Sequence, residues 1–286
     1  MLTPDNIKLI NEQVYKEPRT VKEISVLLKV SWITANKYIL YLIEKYGILR
    51  LKVFKGGTRG ALKIVYWNNT EGVKSGTAQQ ILFDKIKLGK SKKDFSPFDI
   101  YHLIDEEKRK AILEIRKSEE EVKNQDIVNT FRAARRQVFI FSGNLSFVNL
   151  IDRNNKIIDL LTELARRKIN IKIICKVDLA SINNIDKVLA INKALGYDAI
   201  DIKHCEQPLR GFIVDDKIFS LREEKNKSEY KEGEMAYDIG LIYEIYDKDW
   251  IEWMERVFWN IYNNGLPIEQ RMKDLQSLNN SIINMK

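Results

Sequence analysis

Apolar residues recur at helical spacing through the first forty-odd positions and then give way to strand-like runs. Ile7, Ile10 and Val14 mark a first helix, opened by Thr3 and Pro4. Thr20 followed by Glu23 forms a T-x-x-E capping box for a second helix, whose buried stripe is Val21, Ile24 and Leu28. Ser31 caps a third helix with Ala35, Ile39 and Leu42 inward, and Gly47 is placed to end it. Two β-rich apolar runs follow, Ile48–Phe54 and Ala61–Trp67. They flank the glycine-rich tip Lys55-Gly56-Gly57-Thr58-Arg59-Gly60. The order predicted is three helices and then a two-stranded hairpin.

The pattern changes at residue 68. Residues 68–98 are polar and rich in Gly, Ser and Lys, which predicts a linker with one short helix at Ala78–Ile86. A long charged helix is predicted over Ile100–Lys123, with Ile104, Ala111, Ile115 and Val122 on a short heptad-like seam. From about residue 126 strand and helix patterns alternate. Helices are expected at Ile127–Arg136, Lys156–Lys168, Asn183–Leu195 and Asp249–Asn263. Strands are expected at Val138–Ser142, Asn170–Val177, Ala199–Cys205, Gly211–Leu221 and Tyr237–Tyr246. The fold class is therefore α+β and multidomain. The divisions are 1–67, a linker and long helix at 68–125, an α/β sandwich at 126–272 and a tail at 273–286.

Charge sharpens this division. The first 98 residues hold 18 basic and 8 acidic side chains, a net +10, whereas the remainder holds 30 and 32, a net −2. A basic head on a near-neutral body is the footprint of a module that binds a polyanion. Other classes find no support. No run reaches the ~18 apolar residues of a membrane span, and MLTPDNIKLI has no basic-then-apolar leader, so a cytoplasmic, nucleoid-associated protein is expected. No phosphate-binding glycine loop, no zinc spacing and no His/Cys cluster is present, so no cofactor or metal is expected. Cys175 and Cys205 read as free thiols.

The third helix is the first constellation that carries chemistry. With Ala35, Ile39 and Leu42 inward, Trp32, Ile33, Asn36 and Lys37 face outward, with Thr34 and Tyr38 beside them. Asn can bond adenine through two hydrogen bonds, and Lys can reach guanine or phosphate. Lys55, Thr58 and Arg59 at the hairpin tip would hold phosphate or a minor-groove edge. Ser31, Trp32, Thr34, Asn36, Lys37, Tyr38, Lys55, Thr58 and Arg59 are the candidate DNA-binding set. The segment KEISVLLKVSWITANKYILYLIEKYGILR resembles winged helix-turn-helix regulators of archaea and bacteria. A protein-contact role for such a module is the alternative.

The second constellation is Pro208–Asp216, PLRGFIVDD, after the strand-like IDIKHC. Its frame resembles half of a phospholipase D-type site, His-x-Lys-x4-Asp. Setting the aspartate on Asp215 places Arg210 at the lysine and Pro208 at the histidine. Sliding by one places Gly211 and Leu209 there. Neither register supplies the nucleophilic histidine that would attack phosphorus. Of the two histidines, His204 precedes the motif and His102 lies far from it. Ser142, Asn144, Arg210 and Asp215 are candidates for a polar ligand pocket, although Arg210 and Asp215 could equally pair with each other. A winged helix, a helical linker and a degenerate phospholipase D-like domain together resemble the TrmB-type archaeal transcription regulators, whose C-terminal domain takes small effectors and contributes to assembly. The resemblance implies a site-specific, homodimeric, double-stranded-DNA-binding regulator with a small-molecule effector, no membrane contact and no enzymatic activity. The alternatives are an architectural or chromatin DNA protein and a phospholipase D-type phosphodiesterase or nuclease.

Overall fold

The structure is a computed structural model that describes residues 2–46, 49–55, 61–67, 75–115, 127–152, 154–231, 234–235 and 237–283. Its head begins with α1 (Pro4–Lys16), where the Thr3 hydroxyl accepts the Asn6 N–H at 3.2 Å. A short strand β1 (Arg19–Thr20) leads into α2 (Val21–Leu27). The expected capping box is formed: Thr20 N–H donates to the Glu23 carboxylate at 2.6 Å, and Glu23 N–H donates to the Thr20 hydroxyl at 3.1 Å. Lys29 takes a left-handed φ of 53° in the tight turn to α3 (Trp32–Tyr46). Strands β2 (Leu49–Lys55) and β3 (Ala61–Trp67) pair antiparallel, and β1 joins β3 on its other side. Ala35, Ile39 and Leu42 of α3 are fully buried with Ile10, Ile24 and Val65. This is the three-helix and wing order that the sequence predicts.

The strand β3 is apolar on both faces. Val65 turns toward the helices, whereas Leu62, Ile64 and Tyr66 turn away and enter the core of the rest of the chain. There they meet α4 (Ser75–Leu88) and α5 (Phe98–Tyr101). The Phe98 ring lies 5.3 Å from Tyr66, 6.3 Å from Phe54 and 6.0 Å from Tyr243, tying head, connector and body into one apolar cluster. The polar linker expected at 68–98 is thus corrected from residue 75 onward. The helix expected at Ala78–Ile86 is contained in α4, and Leu82, Ile86, Phe95 and Phe98 are buried. The long helix expected at Ile100–Lys123 is also corrected. After α5 the chain forms a strand, β4 (Arg109–Ile115), and residues 116–126 lie outside the described residues. The reason is tertiary. Ala111 and Leu113 alternate toward the core, and β4 supplies the edge partner of a strand buried along its whole length.

The body continues with α6 (Ile127–Arg132), β5 (Gln137–Phe141), a small hairpin of β6 (Ile151–Asp152) and β7 (Asn155–Lys156), α7 (Ile157–Arg166), β8 (Asn170–Cys175), α8 (Ile182–Leu195) and β9 (Ile200–His204). Then come β10 (Gly211–Val214), β11 (Ile218–Lys225), β12 (Ile239–Ile245), α9 (Lys248–Asn264), β13 (Leu266–Pro267) and α10 (Ile268–Ile283). Apart from β6 and β7, which pair only with each other, these strands and β4 form one mixed sheet, ordered β13-β9-β8-β5-β10-β11-β12-β4. The pairs β5/β8 and β8/β9 are parallel and the others antiparallel. The single strand expected at Gly211–Leu221 is two, reversed at Asp215, which holds a φ of 50°. Of the tail expected at 273–286, residues 273–283 continue helix α10, and 284–286 lie outside the described residues. Helices α6 to α8 share a core with one sheet face. On the other face lies α9, with Phe258 stacked on Phe139 at 4.6 Å, so its aromatic set is core. No single helix among the described residues is long and apolar enough to cross a membrane.

Candidate nucleic-acid interface and sheet-edge groove

Three elements fix the orientation of α3. Its buried stripe packs on α1, α2 and β3. The turn at Lys29 sets its direction, and Ser31 closes its first turn by accepting the Thr34 N–H at 3.1 Å. The Ser31 and Thr34 hydroxyls also bond each other at 2.8 Å. Both polar groups are therefore engaged in capping. Lys63 of β3 reaches under the helix. Its ammonium donates to the Asn36 side-chain carbonyl at 2.9 Å and sits 4.8 Å from the centre of the Trp32 ring. Asn36 keeps its amide donors but has lent out the oxygen that a two-bond contact with adenine needs. Trp32 and Tyr38 are half-buried at the flank of the head core, and Lys37 is exposed. Lys55 ends β2. Its side chain, with Thr58 and Arg59, lies outside the described residues.

The sheet of the head separates α3 from the body. The three helices lie on one face and the body on the other. Polar contacts reinforce the junction on the α2 side. Lys22 donates to the Glu229 carbonyl at 2.9 Å and lies 5.6 Å from the Tyr230 ring centre, and Lys93 pairs with Glu229 at 3.4 Å. Sequence reasoning treated head and body as joined by a linker and missed this docking. The signal was present in β3, where Leu62, Ile64 and Tyr66 alternate with Lys63, Val65 and Trp67. A strand apolar on both faces must be covered on both.

Beside this junction runs a groove of about 1690 Å³, walled by α2 on one side and by β5, β10 and β11 on the other. Ser142, Asn144 and Arg210 line it, and Asp215 does not. Ser142 is buried and accepts the Leu145 N–H at 3.2 Å. Asn144 is exposed and accepts the Ser146 N–H at 3.2 Å. One Arg210 nitrogen donates to the carbonyls of Gln207 at 3.1 Å and Leu209 at 2.6 Å. The rest of the guanidinium lies over Gly143, where a Cβ would come within 2.9 Å of it, so a larger residue there would displace the Arg210 head. Burial pulls the Arg210 pKa below its ordinary value, only partly offset by Glu224. Asp215 stands at the far end of β10. Its carboxylate accepts the N–H groups of Arg135, Arg136 and Gln137, each at 2.9 Å, and anchors the start of β5. The structure brings three pocket candidates together and gives the fourth a structural post. An Arg210–Asp215 ion pair is not formed.

Both registers of the phospholipase D-like frame place a buried apolar residue at the nucleophile, Pro208 or the fully buried Leu209. The histidines are engaged elsewhere. His204 Nδ1 accepts the Val177 N–H at 2.9 Å. His102 Nδ1 donates to the Phe98 carbonyl at 2.9 Å, and burial drops its pKa to about 4. Neither lines the groove. Cys175 is buried with its thiol pushed up to about 12 by desolvation, which keeps it protonated. Among the described residues no group of His, Cys, Asp and Glu could hold a metal ion.

No family model and no curated protein matches the chain. Solved structures with related shapes do exist. TrmBL2, an archaeal chromatin protein with a novel mode of DNA binding, is similar at 13% identity and a TM-score of 0.40, over 88% of this chain and 89% of that one. Nuc from Salmonella typhimurium, a phospholipase D family member, shares 12% identity at a TM-score of 0.37, over 56% of this chain and 97% of its own. NucT from Helicobacter pylori shares 17% identity at a TM-score of 0.37, over 56% and 99%. At such scores the likeness is one of shape, and the functional reading rests on this chain's own geometry: a winged helix-turn-helix head docked on a mixed α/β body.

Proposed function

We propose that the protein is a sequence-specific, double-stranded-DNA-binding transcription regulator that acts as a homodimer in the cytoplasm, on the nucleoid. The observation that carries this reading is the orientation of the head. The body takes the back of its sheet, while α3 faces away, with Lys37 exposed and no acidic residue from Ser31 to Ile43. A helix so presented fits a major groove. The net +10 of the first 98 residues supplies the phosphate attraction. The body is read as a non-catalytic sensing and assembly domain, with Ser142, Asn144 and Arg210 offered to a small effector in the groove.

Selection of genomic fragments by the purified full chain tests this reading. A few enriched sites are expected, weakened by Lys37→Glu. Equal retention of all fragments with a steep salt slope would instead identify an architectural, chromatin-coating protein. The non-catalytic reading is tested with plasmid, single-stranded DNA and a phosphodiester reporter, with and without divalent metal. Turnover that survives repurification and is lost in Arg210→Ala would overturn it.

A further inference from the structure

The outward face of α3 is more apolar than phosphate contact requires. Ile33 is 63% exposed, Leu40 40% and Tyr41 43%, and with Lys37 they form one stripe along the helix. In the first turn the polar alternatives are already engaged. The Ser31 and Thr34 hydroxyls bond each other, and Lys63 holds the Asn36 oxygen. Ile33 is thus the most exposed apolar side chain where a docked recognition helix meets base edges.

We propose that Ile33 is a specificity-determining residue that reads thymine, its side chain packing on the C5 methyl of a thymine in the major groove. This rests on the DNA-binding reading above. Among the four bases only thymine offers an apolar group at the major-groove edge, and an isoleucine gains nothing from the polar edges of the other three. A β-branched side chain in a helix has one strongly preferred χ1, so Ile33 meets the methyl with little rotamer entropy left to lose. The charge of the face selects the partner. From Ser31 to Ile43 it carries Lys37 and no carboxylate, which suits a polyanion over a protein surface of mixed charge. The preferred duplex should therefore hold a T·A pair under the first turn of α3.

The test uses the full chain and its best duplex from a random library, with each thymine replaced in turn by deoxyuridine, which lacks only the methyl. Binding is read by fluorescence anisotropy. Burying one methyl contributes ~0.8 kcal/mol, a change of about fourfold in affinity. The wild-type chain should lose about fourfold at one or more thymines. Ile33→Ala, which alters an exposed side chain and should keep its circular dichroism, should bind the thymine duplex about fourfold or more weakly. It should no longer distinguish thymine from deoxyuridine at that position. Indifference of the wild type to every replacement overturns the proposal, as does a variant that remains sensitive. An Ile33→Ala chain with unchanged DNA affinity but altered mass in light scattering would make the stripe a protein contact, which also overturns it. Failure to bind any duplex is a separate outcome that refutes the DNA-binding reading itself.

Discussion

Asp215 offers a direct test of structural against ligand-binding roles, because its sequence context resembles a catalytic motif. The carboxylate is buried, with Oδ1 accepting from Arg136 and Gln137 and Oδ2 from Arg135. Asp215→Asn keeps one oxygen for the first pair. It turns an amide donor toward the Arg135 N–H, so one charge-assisted bond becomes a donor–donor contact. Asn tolerates the φ of 50° at this position, so backbone strain adds little. The expected loss is about 2 kcal/mol for Asp215→Asn. For Asp215→Ala it is about 3–5 kcal/mol, since three N–H groups lose their acceptor and alanine lacks the short polar side chain that eases Asp and Asn in the left-handed region. In a chain of this size each kcal/mol moves Tm by ~2–4 °C, which puts Asp215→Asn about 4–8 °C below the wild type. Burial raises the Asp215 pKa, but the three backbone donors outweigh it and leave the value below 3.8. Its contribution is thus fully present above the unfolded value and lost as pH falls below it through the folded one, a dependence that Asp215→Asn should remove. The assay is thermal unfolding by circular dichroism at neutral and acid pH, with DNA binding measured in parallel. An Asp215→Asn chain with wild-type Tm and altered ligand response or DNA binding would refute the structural role.

Phe98→Ala removes the ring that joins head, connector and body. It should cost about 3–5 kcal/mol and make the head unfold in urea before the body, with earlier proteolysis between residues 67 and 109 than in the wild type. A single transition at the wild-type midpoint would show that the head does not depend on this junction. His102 is held neutral, with a folded pKa of about 4 against 6.5 unfolded. Because the folded value is depressed, the stability it confers is complete above about 6.5 and declines as pH falls toward 4. The maximum is about 3 kcal/mol. His102→Phe should flatten the urea midpoint between pH 6.5 and 4.5 relative to the wild type, and parallel curves would count against a neutral buried imidazole.

The head was largely legible in the sequence because its determinants are local. The spacing of Ile7, Ile10 and Val14, the Thr20–Glu23 box and the Ala35, Ile39 and Leu42 stripe act within a turn or two of backbone, and the folded chain keeps them. The α/β alternation after 126 was legible for the same reason, and so was the lack of a histidine at the phospholipase D-like nucleophile. Three features depended on partners distant in sequence. The stretch Arg109–Ile115 has a composition that a helix also accepts, and it became a strand because β12 required an edge partner. Residues 75–98 read as polar connector with one short helix, yet Leu82, Ile86, Phe95 and Phe98 fill the gap between the wing and Tyr243. At Pro208–Asp216 local spacing suggested one site. The straight run of β10 instead holds Arg210 at the groove and Asp215 at the opposite end, because residues bordering a strand are separated by its length. Local periodicity sets which elements form. Which faces they bury, and which side chains remain for a ligand or a base edge, is decided only when sheet and helices pack.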